Sequence, residues 1–267
     1  MADAAKSSDI GLVGHIIDRL IDELNQILKD DLVGIYLYGS LISGDFDIAI
    51  SDIDLVVVLR AELDQPQFLQ LQRMHTRVVN DHPAWRDRLE LAYISGRALK
   101  TFRVAKSTIG IISPGEPFHL IEAGDDWLIS WYDLRRNGVA LQGPSIQSLI
   151  DSIPTPDWLD AVREHICAYR RTVRDAADIM FLSYIVLTVA RGAYTLAHGQ
   201  AASKVKTAAW AQHQFPQWSD LIARALKWRL GATEDAPPLE QARPEVASYV
   251  DDILSRGICQ DAGLSAE

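Results

Sequence analysis

A chain of 267 residues with 48% apolar and 23% charged residues is long enough for one large domain or two ordinary ones, and its composition implies a buried core rather than disorder. A formal net charge of −10 argues against a partner held mainly through its phosphate backbone and would suit a cationic substrate, so no nucleic-acid partner is expected. Cys167 and Cys259 are too few for a disulfide framework, no hydrophobic signal core opens the chain, and the most apolar run, 179–190, is shorter than the roughly 20 residues of a membrane helix; a cytoplasmic protein with no membrane partner is expected, and a monomer.

Ile17, Leu20, Ile21, Leu24 and Leu28 recur at helical spacing behind a capping stretch, Ser7-Ser8-Asp9, so the chain opens with an amphipathic helix. Strand-like runs follow at 32–38 and 53–59. A helix over 67–80 leads into a third alternating run, 88–94. From there to residue 143 the pattern is mixed, apart from a helix over 127–136 that ends at Asn137-Gly138. Pro154 and Pro156 interrupt any helix and mark a linker over 152–156. Everything beyond it reads as helical: 157–173, then 176–198 ended by Gly199, then a helix capped by Ser203 and running to Phe215. A further helix, 220–230, is capped by Ser219 and ended by Gly231, and the last, 245–256, has Pro244 at its first position. The expected fold is therefore α+β, with an α/β domain over 1–153 and an all-α domain over 157–267.

Chemistry concentrates between the first two strands. Gly39-Ser40 ends the first, and after eleven residues Asp52-Ile53-Asp54 opens the second. Alternate residues of a strand share a face, which would set Asp52 and Asp54 with Cα atoms roughly 6–7 Å apart. Two carboxylates so close repel each other, and Mg²⁺, typically held by one or two carboxylates plus substrate phosphates, removes the conflict. The Gly-Ser turn supplies backbone N–H groups and a hydroxyl that approach phosphate oxygens. Metal, triphosphate and a turn after a strand point to nucleotidyl transfer. Glu90, a charge within an apolar strand, is the candidate general base. A further metal ligand, or a plain pair with Arg88, are its other readings. Arg191 lies on an apolar helix and Lys204 just behind a capping serine; by themselves both read as cations whose heads reach water. Trp127 and Trp131, at i and i+4, read as core packing of one helix face, and His119 as structural.

The Gly-Ser turn followed a dozen residues later by Asp-x-Asp resembles the signature of the nucleotidyltransferase superfamily, which implies a polymerase-β-like N-terminal domain and a helical bundle behind it. A second likeness runs from Leu187-Thr188-Val189-Ala190-Arg191 through Ser203-Lys204 to Ala208-Ala209-Trp210-Ala211, with Ala140-Leu141-Gln142-Gly143-Pro144 before it. This resembles the aminoglycoside (3'')(9) adenylyltransferases. The resemblance implies ATP as substrate and Mg²⁺ as cofactor, and a helical domain that closes over the nucleotide. Carried over by position, Arg191 and Lys204 reach the phosphates, Glu90 is the catalytic glutamate, and AMP passes to a hydroxyl of a small molecule. The same fold also serves antitoxin systems with a protein acceptor, and sensors that transfer nothing; intact Asp52, Asp54 and Glu90 and the large helical domain argue against both. The likeness departs at the acceptor side. Thr172, Ala177 and Phe181 stand where the family recognises its cationic drug with a Trp and acidic residues, and Asp175 and Asp178 are near but out of register.

Overall fold

A computed structural model describes residues 2–44 and 46–259, with the side chains of all of these except 2–10 and 12. Two units divide the chain, Met1–Ser152 and Ile153–Glu267. The first runs α1 (Ala2–Leu28), β1 (Leu32–Leu37), α2 (Ser40–Ser43), β2 (Ile53–Leu59), α3 (Gln65–Asp81), β3 (Leu89–Ser95), α4 (Gly96–Thr101), β4 (Ser107–Ser113), β5 (Glu116–Ala123), α5 (Leu128–Asn137) and β6 (Val139–Gln142). The three strands expected from alternation are present to within a residue or so at each end. The mixed stretch resolves into a short helix, a hairpin, α5 and an edge strand. Ser7-Ser8-Asp9 does not cap the opening helix but lies inside α1, since helical backbone reaches back to Ala2. Ser and Asp cost at most about 0.7 kcal/mol each in a helix interior, too little to stop it.

The strand order is β5-β4-β3-β2-β1-β6. Only β2 and β3 are parallel; the other neighbours are antiparallel. One face carries Ile35 and Leu37, Leu55, Val57 and Leu59, and Leu89, Leu91 and Tyr93. It buries them against Leu20, Leu24 and Leu28 of α1 and Leu71, Met74 and Val78 of α3. Alternation then sends Tyr36, Asp54, Val56, Glu90 and Ala92 to the other face. The helix α3 starts sharply because Asp64 accepts from the Gln67 amide at 2.7 Å while the Gln67 side chain accepts from the Asp64 amide at 3.1 Å, a reciprocal cap.

His75 of α3 is buried under β3, sharing a 2.8 Å hydrogen bond with the Tyr93 hydroxyl and packing on Phe118. Burial lowers its pKa to about 3. The unfolded chain, with an ordinary histidine near 6.5, therefore takes up the proton first, and stability is lost as pH falls from 6.5 towards 3. The expected slope is on the order of 1 kcal/mol per pH unit within that window. Melting curves between pH 7 and pH 5 check this: His75→Phe should flatten the decline relative to the native chain.

The second unit holds α6 (Thr155–Thr172), α7 (Ile179–His198), α8 (Lys204–Gln214), α9 (Ser219–Arg229) and α10 (Leu239–Ser255). The apolar helix α7 runs through the middle and packs against the other four. It is long and apolar enough to cross a membrane by length and composition, longer than the 179–190 run suggests, yet most of it is buried in this bundle. Its interior polar groups are paired: Ser183 donates to the Ala225 carbonyl at 2.7 Å, and Tyr249 donates to the Val186 carbonyl at 3.1 Å. Gly199, at φ +65°, ends α7 as expected, and the Ser203 hydroxyl accepts from the Lys206 amide at 3.0 Å to cap α8.

Two helix starts differ from the sequence reading. Ser219 is the first residue of α9 rather than its cap, because a 3₁₀ turn over Pro216–Trp218 runs directly into the helix. Pro244 lies inside α10, not at its start. Ala242 and Val246, one turn apart across the proline, are both fully buried, and that apolar face outweighs the lost backbone hydrogen bond. Cys167 of α6 and Cys259, just beyond α10, form a disulfide with Cα atoms 6.1 Å apart. It is a single bridge rather than a framework, and at 92 residues of separation nothing local in the sequence announces it.

Candidate active site

The site is built on the face of the sheet away from α1 and α3. In the register of β2 and β3, Asp54 stands beside Glu90. In the antiparallel register of β1 and β2, Leu37 pairs with Leu55, and the Tyr38 amide donates to the Asp54 carbonyl at 3.2 Å. Tyr38, Asp54 and Glu90 therefore form a row across three neighbouring strands, about 4.8 Å from strand to strand and on one side of the pleat. Burial first, then Glu90, Asp54 and Asp133 of α5, hold the Tyr38 phenol well above its ordinary pKa. It stays protonated at neutral pH, a donor among carboxylates.

Gly39 follows with φ +69° and ψ −145°, a backbone region only glycine occupies comfortably. A Cβ here would come within 2.0 Å of Asp54 Oδ2. The turn and the carboxylate are thus in direct apposition, which explains why glycine precedes the serine. Gly39→Ala is expected to lower the melting temperature by several degrees, the strain being about 1–3 kcal/mol, and to displace Asp54. Activity measured well below the melting temperature should fall much further than the stability loss accounts for; full activity would show that Asp54 tolerates displacement.

Ser40 opens the four-residue α2, and its Oγ is buried with no hydrogen-bond partner among the described residues. A buried hydroxyl left unsatisfied is costly unless a ligand completes it. Asp52 lies immediately before the strand that carries Asp54. The strand β2 begins at Ile53, so Asp52 is the last residue of the loop before it, two residues ahead of Asp54. Glu90, on the adjacent strand, is a further carboxylate in register with Asp54. Arg88 donates to the carbonyls of Ile48 and Ser51 and stacks over Trp85, 4.6 Å from its ring centre.

The oxygen donors fit a hard divalent cation. Asp54 and Glu90 are adjacent like charges, Asp52 is two residues from Asp54, and the orphaned Ser40 hydroxyl lies one residue from the glycine that touches Asp54. No cluster of three or more His, Cys, Asp or Glu is gathered as a cage among the described residues. Mg²⁺ does not need one, since substrate phosphates and water complete its shell.

Arg191 and Lys204 belong to the second unit. Arg191 is exposed on α7, an otherwise buried helix, and Lys204 is half-buried as the first residue of α8. At the positions where the family likeness departs, Asp178 caps α7, its carboxylate accepting from the Phe181 amide at 2.8 Å, and Phe181 stacks parallel to Tyr184. Trp127 and Trp131 stack with ring centres 5.2 Å apart, Trp131 fully buried, in keeping with core packing. His119 bonds the Pro117 carbonyl on the β5 edge strand, away from this row. Tyr38 and Asp133 were not singled out from the sequence, and Arg88 entered only as a possible pair for Glu90. Tyr38 could have been, since it continues the alternation of Tyr36 on a strand that ends at the glycine.

Two family descriptions match the chain, a nucleotidyltransferase domain over residues 17–107 and the C-terminal domain of aminoglycoside adenylyltransferases over 148–256. The chain is similar to the aminoglycoside (3'')(9) adenylyltransferase of Escherichia coli, 26% identical over 248 residues that cover 85% of this chain and 88% of that protein. It is also similar to the spectinomycin 9-adenylyltransferase of Staphylococcus aureus, 24% identical over 234 residues, 76% of this chain and 81% of that one. Among solved structures, spectinomycin adenyltransferase AAD(9) from Enterococcus faecialis, crystallised with ATP and spectinomycin, superposes with a TM-score of 0.73. That match covers 91% of this chain and 99% of the other at 18% identity, a likeness of fold.

Proposed function

We propose that this chain, a nucleotidyltransferase whose second domain is of the aminoglycoside adenylyltransferase C-terminal type, moves AMP from ATP to a hydroxyl of a small molecule of the aminoglycoside or spectinomycin kind. The observation that carries this reading is the row Tyr38, Asp54, Glu90 set against the Gly39-Ser40 turn. Asp52 and Asp54 would hold Mg²⁺, which when bound neutralises charge on the phosphate oxygens. The Ser40 hydroxyl and the turn amides receive the terminal phosphates. Glu90 takes the proton of the acceptor hydroxyl. The acceptor oxygen bonds to the α-phosphorus as the bond to the β-phosphate oxygen breaks, and pyrophosphate leaves. The Tyr38 phenol, held neutral by burial and the nearby carboxylates, is a proton donor available in the row.

The acceptor divides along chemical lines. A drug with guanidinium groups, such as streptomycin, needs carboxylates at their positions, each charge-assisted bond contributing about 1.5–3 kcal/mol. Here Asp178 is engaged as a helix cap, and Phe181 offers a ring where a carboxylate would be needed. Adenylylation of streptomycin should be weaker than that of spectinomycin by about tenfold to a hundredfold per missing bond. Parallel assays with the two drugs at micromolar concentration test this. Efficient turnover of streptomycin would mean that Asp175 or Asp178 supplies the carboxylate after all.

A further inference from the structure

The loop that ends in Asp52 is held from one side by its own turn and from the other by Arg88. Within the loop, the Asp47 carboxylate accepts from the Ala49 amide at 2.9 Å, and the Ser51 hydroxyl accepts from the Asp47 amide at 2.9 Å. The Ile50 and Ser51 amides return to the Asp47 carbonyl at 3.1 and 2.8 Å. The Arg88 guanidinium reaches across from the residue before β3. Its Nε donates to the Ser51 carbonyl at 3.1 Å and its terminal nitrogen to the Ile48 carbonyl at 2.8 Å, with a longer bond to the Ala84 carbonyl at 3.4 Å. Trp85, buried beneath, holds the guanidinium plane. In return the Ile53 amide donates to the Arg88 carbonyl at 2.9 Å, so Arg88 grips the chain on both sides of Asp52.

We infer that Arg88 is a positioning residue for Asp52, clamping the carbonyls of Ile48 and Ser51 so that the carboxylate reaches the site at a fixed height beside Asp54. A planar fork with several donors can bridge two carbonyls at once, whereas a lysine is a single point of charge. The guanidinium also faces the carboxylates of Asp52 and Asp47, so it balances the charge of the loop it holds. The inference rests on the proposed role of Asp52 in binding the metal-nucleotide. It makes the segment before β3 a part of the site although none of its side chains need touch substrate.

The test compares Arg88→Met, Arg88→Lys and Asp52→Asn in the full chain. Readouts are kcat and KM for ATP with spectinomycin, the Mg²⁺ concentration for half-maximal thermal stabilisation by ATP, and amide hydrogen exchange over 46–52. Arg88→Met should speed exchange of the Ile50 and Ser51 amides and raise the half-maximal Mg²⁺ concentration about tenfold. It should also lower kcat about ten- to a hundredfold, the size of effect that misplacing a catalytic group produces. Arg88→Lys, which keeps the charge without the fork, should fall between it and the native chain; were the methionine variant not to fold, the lysine variant carries the test. A lower melting temperature with unchanged kcat and unchanged Mg²⁺ requirement in the folded variants would reduce Arg88 to a structural role and overturn the inference. If Asp52→Asn loses the Mg²⁺-ATP response while both Arg88 variants keep it, the inference alone fails. If Asp52→Asn keeps that response, the inference falls together with the reading it rests on.

Discussion

Asp54→Asn and Asp52→Asn are each expected to abolish nucleotidyl transfer in a protein that remains folded. The amide preserves shape but cannot neutralise a divalent cation, so metal and triphosphate lose their anchor. For Asp54 the effect on stability should be opposite in kind. Asp54 and Glu90 are register partners on adjacent strands, and like charges there are unfavourable. Removing one charge should leave the metal-free melting temperature unchanged or raised, the usual exchange of activity against stability at a strained site. Calorimetry of the variants with and without Mg²⁺-ATP checks both halves. Retention of about a tenth of the activity in a folded variant would count against these residues as metal ligands.

Glu90→Gln is expected to behave differently. A general base contributes typically 10²–10⁴-fold, and turnover should fall by about that factor while Mg²⁺-ATP still binds almost normally. Rapid-mixing kinetics with titration calorimetry separates the two quantities. Loss of Mg²⁺-ATP binding in this variant would instead make Glu90 a third metal ligand, the reading its place beside Asp54 also permits. The pH profile adds a second check, because the acid limb of kcat should disappear with the base.

The sequence made the first half of this site visible for a physical reason. Gly39, Asp54 and Glu90 each sit at or near the end of a short apolar strand run, and the two-residue period of a strand says which face each residue takes. What it could not say is which strands are neighbours. The register of Asp54 with Glu90 depends on β2 and β3 being parallel and adjacent, which is a fact of topology. Asp133 and Arg88 enter for the same reason, one from α5 across the sheet face and the other through backbone carbonyls that carry no residue signature. The hairpin of β4 and β5 was blurred because Gly110, Pro114, Gly115 and Pro117 interrupt the alternation. In the helical unit, capping chemistry located Gly199 and Ser203 correctly. Pro244 misled because local propensity yields to burial of Ala242 and Val246 on one continuous face.

The most direct measurement is transfer from ATP labelled at the α-phosphate. The full chain would be incubated with Mg²⁺, a panel of hydroxyl-bearing small molecules including spectinomycin, and in a parallel arm a lysate as a source of protein acceptors. Label is expected in a small molecule, with one pyrophosphate released for each label transferred, and neither product with Asp54→Asn. Label confined to a protein band, or ATP bound with no label transferred to any acceptor, would contradict the proposed function.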